Sequence, residues 1–199
     1  MQSITLEYAA DGLPMKSDLY LPDAAGKRPG VLVFPEAFGI GEHVRTRARR
    51  LAEQGYVALA CDLHGNAHRY DRIEEVMGLI GPLRGEVARI RARAAVGFHS
   101  GLATVAPDDA KHIRARVLVC IGADDPAISA EERLAFEQEM RAGGANWQMH
   151  LYGGVVHSFT NEKAAALGQP GFARYDADAD ARSWRAMREL FAEVLDPRA

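Results

Sequence analysis

Between residues 31 and 61 the chain runs through a short apolar stretch, a segment with apolar residues at helical spacing, and a second apolar stretch. That order restricts it to folds built on parallel strands, because two parallel neighbours cannot be joined by a tight turn and need a crossover helix. Val31-Leu32-Val33-Phe34 follows Pro29-Gly30 and has the unbroken apolar character of a strand buried on both faces. From Val44 to Gln54 the apolar positions recur at helical spacing, and Gly55 stops the helix. Tyr56 to Cys61 then reads as another buried strand, ending at Asp62.

The same alternation continues to the end of the chain. Ser3 to Tyr8 and Lys16 to Leu21 alternate about the turn signal Ala10-Asp11-Gly12, which predicts an N-terminal antiparallel hairpin. Asp71 to Ala95 is helix-rich with a break at Gly81-Pro82, and Ala94 to Phe98 and Val117 to Ile121 read as strands. Ala130 to Ala142 is a helix stopped by Gly143-Gly144, Trp147 to Tyr152 the last strand, and Asp180 to Leu195 a closing amphipathic helix. These elements predict an α/β fold, a mostly parallel sheet with helices on both faces. With 199 residues, 48% hydrophobic, and no repeat, low-complexity tract or dividing linker, one domain over 1–199 is expected.

Charge and cysteine usage narrow the function classes. A formal net charge of -3 gives no basic field for nucleic acid, and Arg45, Arg47, Arg49 and Arg50 alternate with apolar positions as a solvated helix face would. Cys61 and Cys120 each sit in an apolar run, as inert core thiols do, and two such cysteines fit a reducing cytoplasm. No segment has the length of a membrane span, and Met1 to Tyr20 lacks the cationic start and apolar stretch of a secretory leader.

In parallel sheets the loops after the carboxyl ends of strands build the site. Glu36, Asp62, Asp125 and His157 occupy such places. Asp125, in Gly122-Ala123-Asp124-Asp125-Pro126, could accept the ring N–H of a histidine, and equally reads as a turn aspartate before proline. His157 lies in Gly153-Gly154-Val155-Val156-His157-Ser158-Phe159, where an imidazole could act as general base. The order of acid then histidine, after consecutive strands separated by a helix, lifts both above an ordinary loop reading. His64 and His68 share i,i+4 spacing but sit in a glycine-containing loop without a third metal ligand in view.

These segments, together with Phe34-Pro35-Glu36-Ala37-Phe38-Gly39, Gly55 to Gly65 and Gly97-Phe98-His99-Ser100-Gly101, resemble the dienelactone hydrolase family of α/β-hydrolases over nearly the whole chain. The resemblance implies a carboxylic-ester or lactone hydrolase acting on a small molecule without metal or organic cofactor. It implies Asp125 as triad acid, His157 as base, Glu36 as a carboxylate beside the nucleophile, and the Ala37 N–H as an oxyanion donor.

The departure from the family pattern is as specific as the match. No G-x-S-x-G or G-x-C-x-G elbow occurs, and Arg93-Ala94-Ala95 runs directly into the strand that should follow the elbow's helix. One strand-helix unit is therefore expected to be missing, with Ser100, one place after the centre of Gly97-Phe98-His99-Ser100-Gly101, as the replacement nucleophile to be tested. An uncovered seam would favour a homodimer. The alternatives are an inactive, internally deleted remnant serving as a binding or self-associating domain, and direct activation of water by His157. Asn161 stands four residues after His157, where family members acting on dienelactone resemble one another in an arginine, so a neutral ester suits this chain better than a lactone carboxylate.

Overall fold

A computed structural model describes residues 1–10, 12–23, 26–72, 74–76, 92–104 and 106–195. They belong to two compact units, Met1–Gly81 and Pro82–Ala199, each with its own sheet.

In the first unit, β1 (Gln2–Ala10) and β2 (Leu13–Leu21) pair antiparallel over their whole length, from Gln2 against Leu21 to Ala10 against Leu13, as the turn signal predicts. β3 (Gly30–Val33) and β4 (Val57–Ala60) are parallel and are joined by helix α1 (Glu42–Glu53). The strand order is β1-β2-β4-β3. Helix α1 buries Val44, Ala48, Leu51 and Ala52, one stripe at i, i+4, i+7 and i+8, and packs against the sheet. It ends where the Gly55 N–H donates to the Ala52 carbonyl, with Gly55 in the left-handed region at φ +94°.

The expectation that Val31 to Phe34 is buried on both faces is corrected here. Leu32 and Phe34 are each 52% exposed. β3 is the outer strand of its sheet, so among the described residues one edge is unpaired, and Leu32 and Phe34, two residues apart, share the face that stays uncovered.

In the second unit, β5 (Ala94–Phe98), β6 (Arg116–Gly122) and β7 (Trp147–Tyr152) form a parallel sheet in sequence order. Successive side chains of a strand point to opposite faces, and β6 is buried on both. Val119 and Ile121 join a cluster with Phe136 and Met140 of helix α2 (Ala130–Ala142), while Leu118 and Cys120 are buried on the other face. Helix α3 (Ala177–Leu195) packs against β5 and β6. Ser129 caps α2 by accepting from the Glu132 N–H at 3.1 Å. Helix α3 begins three residues before the expected Asp180, because the Asp176 carboxylate accepts from the Ala179 N–H at 2.9 Å and starts the helix there.

Of the helix-rich stretch expected from Asp71 to Ala95, residues 74–76 are helical, and the break at Gly81-Pro82 lies outside the described residues.

Candidate active site

The three strands of the second unit run in one direction; β6 and β7 end level, with Gly122 beside Tyr152, and β5 ends slightly earlier, with Phe98 beside Cys120. Their carboxyl ends deliver three loops to one edge of the sheet, the place where parallel sheets carry their chemistry. His99 and Ser100 follow β5, Asp125 follows β6, and His157 follows β7.

The sharp turn after β6 depends on a glycine. A Cβ on Gly122 would run into the Val155 carbonyl oxygen, so only glycine lets the end of β6 lie against the loop that carries His157. Two backbone bonds lock that approach: the Ala123 N–H donates to the Tyr152 carbonyl at 2.8 Å and the Asp124 N–H to the Val155 carbonyl at 3.0 Å.

Asp125 and His157 meet directly, the Nδ1–H of His157 donating to Oδ2 of Asp125 at 2.8 Å. A carboxylate only accepts, so Nδ1 carries the ring proton and Nε2 keeps its lone pair. The Asp125 side chain is fully buried, and its second oxygen accepts from the Ala127 N–H at 2.9 Å, so both oxygens are engaged and the carboxylate is fixed in orientation. The His157 side chain is 23% exposed. Its backbone is held on both sides, the His157 N–H donating to the Phe172 carbonyl and the Arg174 N–H to the His157 carbonyl, each at 3.1 Å.

Sequence reasoning gave no role to His99, a neighbour of this pair, or to Phe159, which packs on His99. His99 is buried, and its ring stands edge-on to that of His157 with centroids 5.2 Å apart. His99 Nε2 and Thr160 Oγ1 share a hydrogen bond of 2.9 Å. His99 holds a left-handed backbone at φ +42° directly after β5, a conformation that costs a non-glycine residue energy and is tolerated only where the surroundings impose it. The available signal was its place at the central position of Gly97-Phe98-His99-Ser100-Gly101. Phe159, fully buried, packs its ring against His99 and Tyr152 and anchors the loop.

Ser100 is exposed and its hydroxyl lies back against Gly97, where a Cβ would overlap it. No hydrogen bond joins Ser100 to His157 or to any other described residue. The two cysteines are buried, and burial pushes each thiol up to about 11, which keeps them protonated at neutral pH. Cys120 also accepts a long hydrogen bond from the Tyr152 hydroxyl at 3.8 Å.

In the first unit, Glu36 and Ala37 occupy a half-buried turn after β3, closed by the Gly39 N–H donating to the Glu36 carbonyl at 3.1 Å. The Ala37 N–H donates to no described residue, while the Ala37 carbonyl is bonded to His64 Nε2 at 2.8 Å. The His64 and His68 rings both pack on Tyr70.

Asp62 is a structural carboxylate. Burial alone would raise its pKa, but N–H groups of Lys16, Ala67, His64 and Gly65 donate to it and together hold it below the ordinary aspartate value. Among the described residues no group of three or more His, Cys, Asp or Glu side chains is arranged to hold a metal ion, and no helix is long and apolar enough to cross a membrane.

The family model of the dienelactone hydrolase family matches residues 15–91 and 83–195. The chain belongs to the dienelactone hydrolase family. Among solved structures, m3DLH is 36% identical, with 98% of this chain and 99% of that chain covered and a TM-score of 0.87. A dienelactone hydrolase-like promiscuous phosphotriesterase from metagenomic libraries is 33% identical, with 97% and 98% covered and a TM-score of 0.85. A protein of Yersinia pestis, provisionally named carboxymethylenebutenolidase, is 25% identical over 241 residues, covering 95% of this chain and 86% of the relative. The fold is that of the dienelactone hydrolases, and the His157–Asp125 pair stands just beyond the carboxyl ends of β7 and β6.

Proposed function

We propose that this chain is a hydrolase of small, neutral carboxylic esters or lactones whose reactive centre is the His157–Asp125 pair, working in the cytoplasm without a metal or organic cofactor and without the family's elbow nucleophile. The observation that carries this reading is the 2.8 Å bond that fixes the ring proton on Nδ1 and leaves Nε2 basic. The family resemblance implies a supporting carboxylate at Glu36 and an oxyanion donor at the Ala37 N–H, and Ser100 is the hydroxyl to be tested as a replacement nucleophile.

Three observations support the missing unit. The chain has no elbow motif, and the two stretches matched by the family model both include residues 83–91, as expected where the middle of the family pattern has no counterpart. The alignment with the Yersinia pestis protein spans 241 positions yet engages 95% of 199 residues, leaving about fifty positions without a residue here, the size of a strand-helix unit with its connections.

The test is a pH-stat comparison of a neutral lactone, a neutral ester and a lactone bearing a carboxylate, each with the wild type and with His157→Ala. Turnover of the neutral substrates that exceeds His157→Ala, with the carboxylate-bearing lactone slower because Asn161 offers it no positive partner, is the expected result. Equal rates for both proteins on every substrate would end the hydrolase reading.

A second reading, that the chain is an inactive remnant that self-associates, is favoured by one observation. Leu32 of the outer strand β3 and Phe34 just beyond its end are each 52% exposed, the kind of apolar edge that pairs with another copy.

A further inference from the structure

With Nδ1 of His157 committed to Asp125, the other ring nitrogen is left with a task that the family's usual machinery does not give it. We infer that Nε2 of His157 is itself the acyl acceptor, a proposal that rests on the hydrolase reading above and specifies its covalent step.

Four features carry it. Nε2 holds a lone pair and makes no hydrogen bond with the described residues, so among them no hydroxyl or thiol is positioned to surrender a proton to it. The ring is presented rigidly, strapped by backbone bonds on both sides and packed edge-on by His99 at 5.2 Å and against Phe172 at 5.5 Å. Its side chain reaches the surface while Asp125 stays wholly buried, so the pair opens outward through the His157 ring. The competing nucleophiles are unprepared, since both cysteines are buried and Ser100 has no base bonded to its hydroxyl, and a serine without a base is a weak nucleophile. A neutral imidazole needs no deprotonation before it attacks.

In the first step the Nε2 lone pair forms a bond to the ester carbonyl carbon, the C–O bond breaks, and the leaving oxygen departs with the electron pair. The product is an acylimidazolium whose Nδ1–H still faces the Asp125 carboxylate, which offsets the new positive charge. In the second step water adds to the acyl carbon, the C–N bond breaks, Nε2 recovers its lone pair, and a carboxylate and two protons are released, one of which neutralises the oxyanion expelled in the first step. The sum is ester plus water giving acid plus alcohol. Because the imidazole is occupied as nucleophile, nothing in the pair protonates the leaving oxygen in the first step. The substrate class is therefore aryl and enol esters, whose oxygen leaves as an anion, in preference to alkyl esters.

The experiment mixes the full chain with p-nitrophenyl trimethylacetate, whose hindered acyl group slows the attack of water, and follows released p-nitrophenol together with fragment mass spectrometry after a cold quench. His157→Gln, checked for native circular dichroism, supplies the background. The expected result is an initial burst approaching one p-nitrophenol per chain, a trimethylacetyl mass localised on His157, and no detectable turnover of the ethyl ester. An acyl mass on Ser100 or a cysteine overturns the inference while leaving a hydrolase. Steady release without an adduct, slowed in D2O, overturns it in favour of His157 activating water. Release no faster than His157→Gln overturns both the inference and the reading on which it rests.

Discussion

Replacing Asp125 by asparagine changes one atom of a buried, fully bonded group, and the structure sets what should follow. Asparagine preserves volume and can keep the 2.9 Å bond from the Ala127 N–H through its carbonyl oxygen. That choice turns the amide NH2 toward Nδ1 of His157, across the 2.8 Å contact now made by a carboxylate oxygen. Nδ1 must then accept instead of donate, the ring proton moves to Nε2, and the open nitrogen loses the lone pair on which any base or nucleophile role depends. A hydrogen bond to a charged group contributes about 1.5–3 kcal/mol, which at 1.36 kcal/mol per decade is a loss of about 10- to 150-fold in rate. Reversal of the tautomer extends the loss toward about 10⁴-fold, the magnitude seen when the acid of a serine-protease triad becomes an amide. Stability should change by less than about 1 kcal/mol, because no cavity opens and the Ala127 bond survives. The assays are p-nitrophenyl ester hydrolysis, urea unfolding, and long-range ¹H–¹⁵N correlation spectra of the His157 ring. A variant with wild-type rate and an unchanged His157 tautomer would refute the reasoning.

Three further outcomes follow from particular contacts. Gly122→Ala should destabilise the second unit by about 1–3 kcal/mol and lower ester hydrolysis with it, since the new methyl meets the Val155 carbonyl oxygen and pushes Asp125 away from His157; paired urea unfolding and rate measurements check this. Asp62 has a depressed pKa in the folded state, so its contribution is complete above the unfolded aspartate value, near pH 3.9, and is lost as pH falls through the folded value. Acid titration of unfolding should accordingly show wild-type stability dropping below about pH 4, while Asp62→Asn, weaker by about 2 kcal/mol at pH 7, is flatter in that window. If β3 pairs with another copy, sedimentation velocity should show a concentration-dependent dimer that Leu32→Lys abolishes, and a monomer for both proteins at high concentration would remove that role from the β3 edge.

The parts of the fold that sequence patterning reached are those where local chemistry and packing agree. Ala94–Phe98, Ala130–Ala142 and Trp147–Tyr152 are read to the residue because β-branched or alternating runs, a serine cap and a glycine pair mark their ends. The Asp125 and His157 contact was legible as an order along the chain, since parallel strands must deliver successive loops to one edge. The burial of β3 was not, because an apolar run reports what a strand can bury and not whether a neighbour is present to cover it. His99 was passed over for a related reason: its contact with His157 arises from the β5–β6 register and its own positive φ, neither of which leaves a local mark. His64 and His68, spaced like helical metal ligands, lie in a loop where both rings pack on Tyr70 and His64 is bonded to the Ala37 carbonyl.

In the proposed function the His157–Asp125 pair performs ester hydrolysis without an elbow nucleophile. The most direct measurement is the initial rate of p-nitrophenol release from p-nitrophenyl acetate by equal concentrations of the wild type and His157→Ala, each verified as folded by circular dichroism. The account predicts multiple turnovers per chain for the wild type and a rate indistinguishable from buffer for the variant. Equal rates for the two proteins would contradict it.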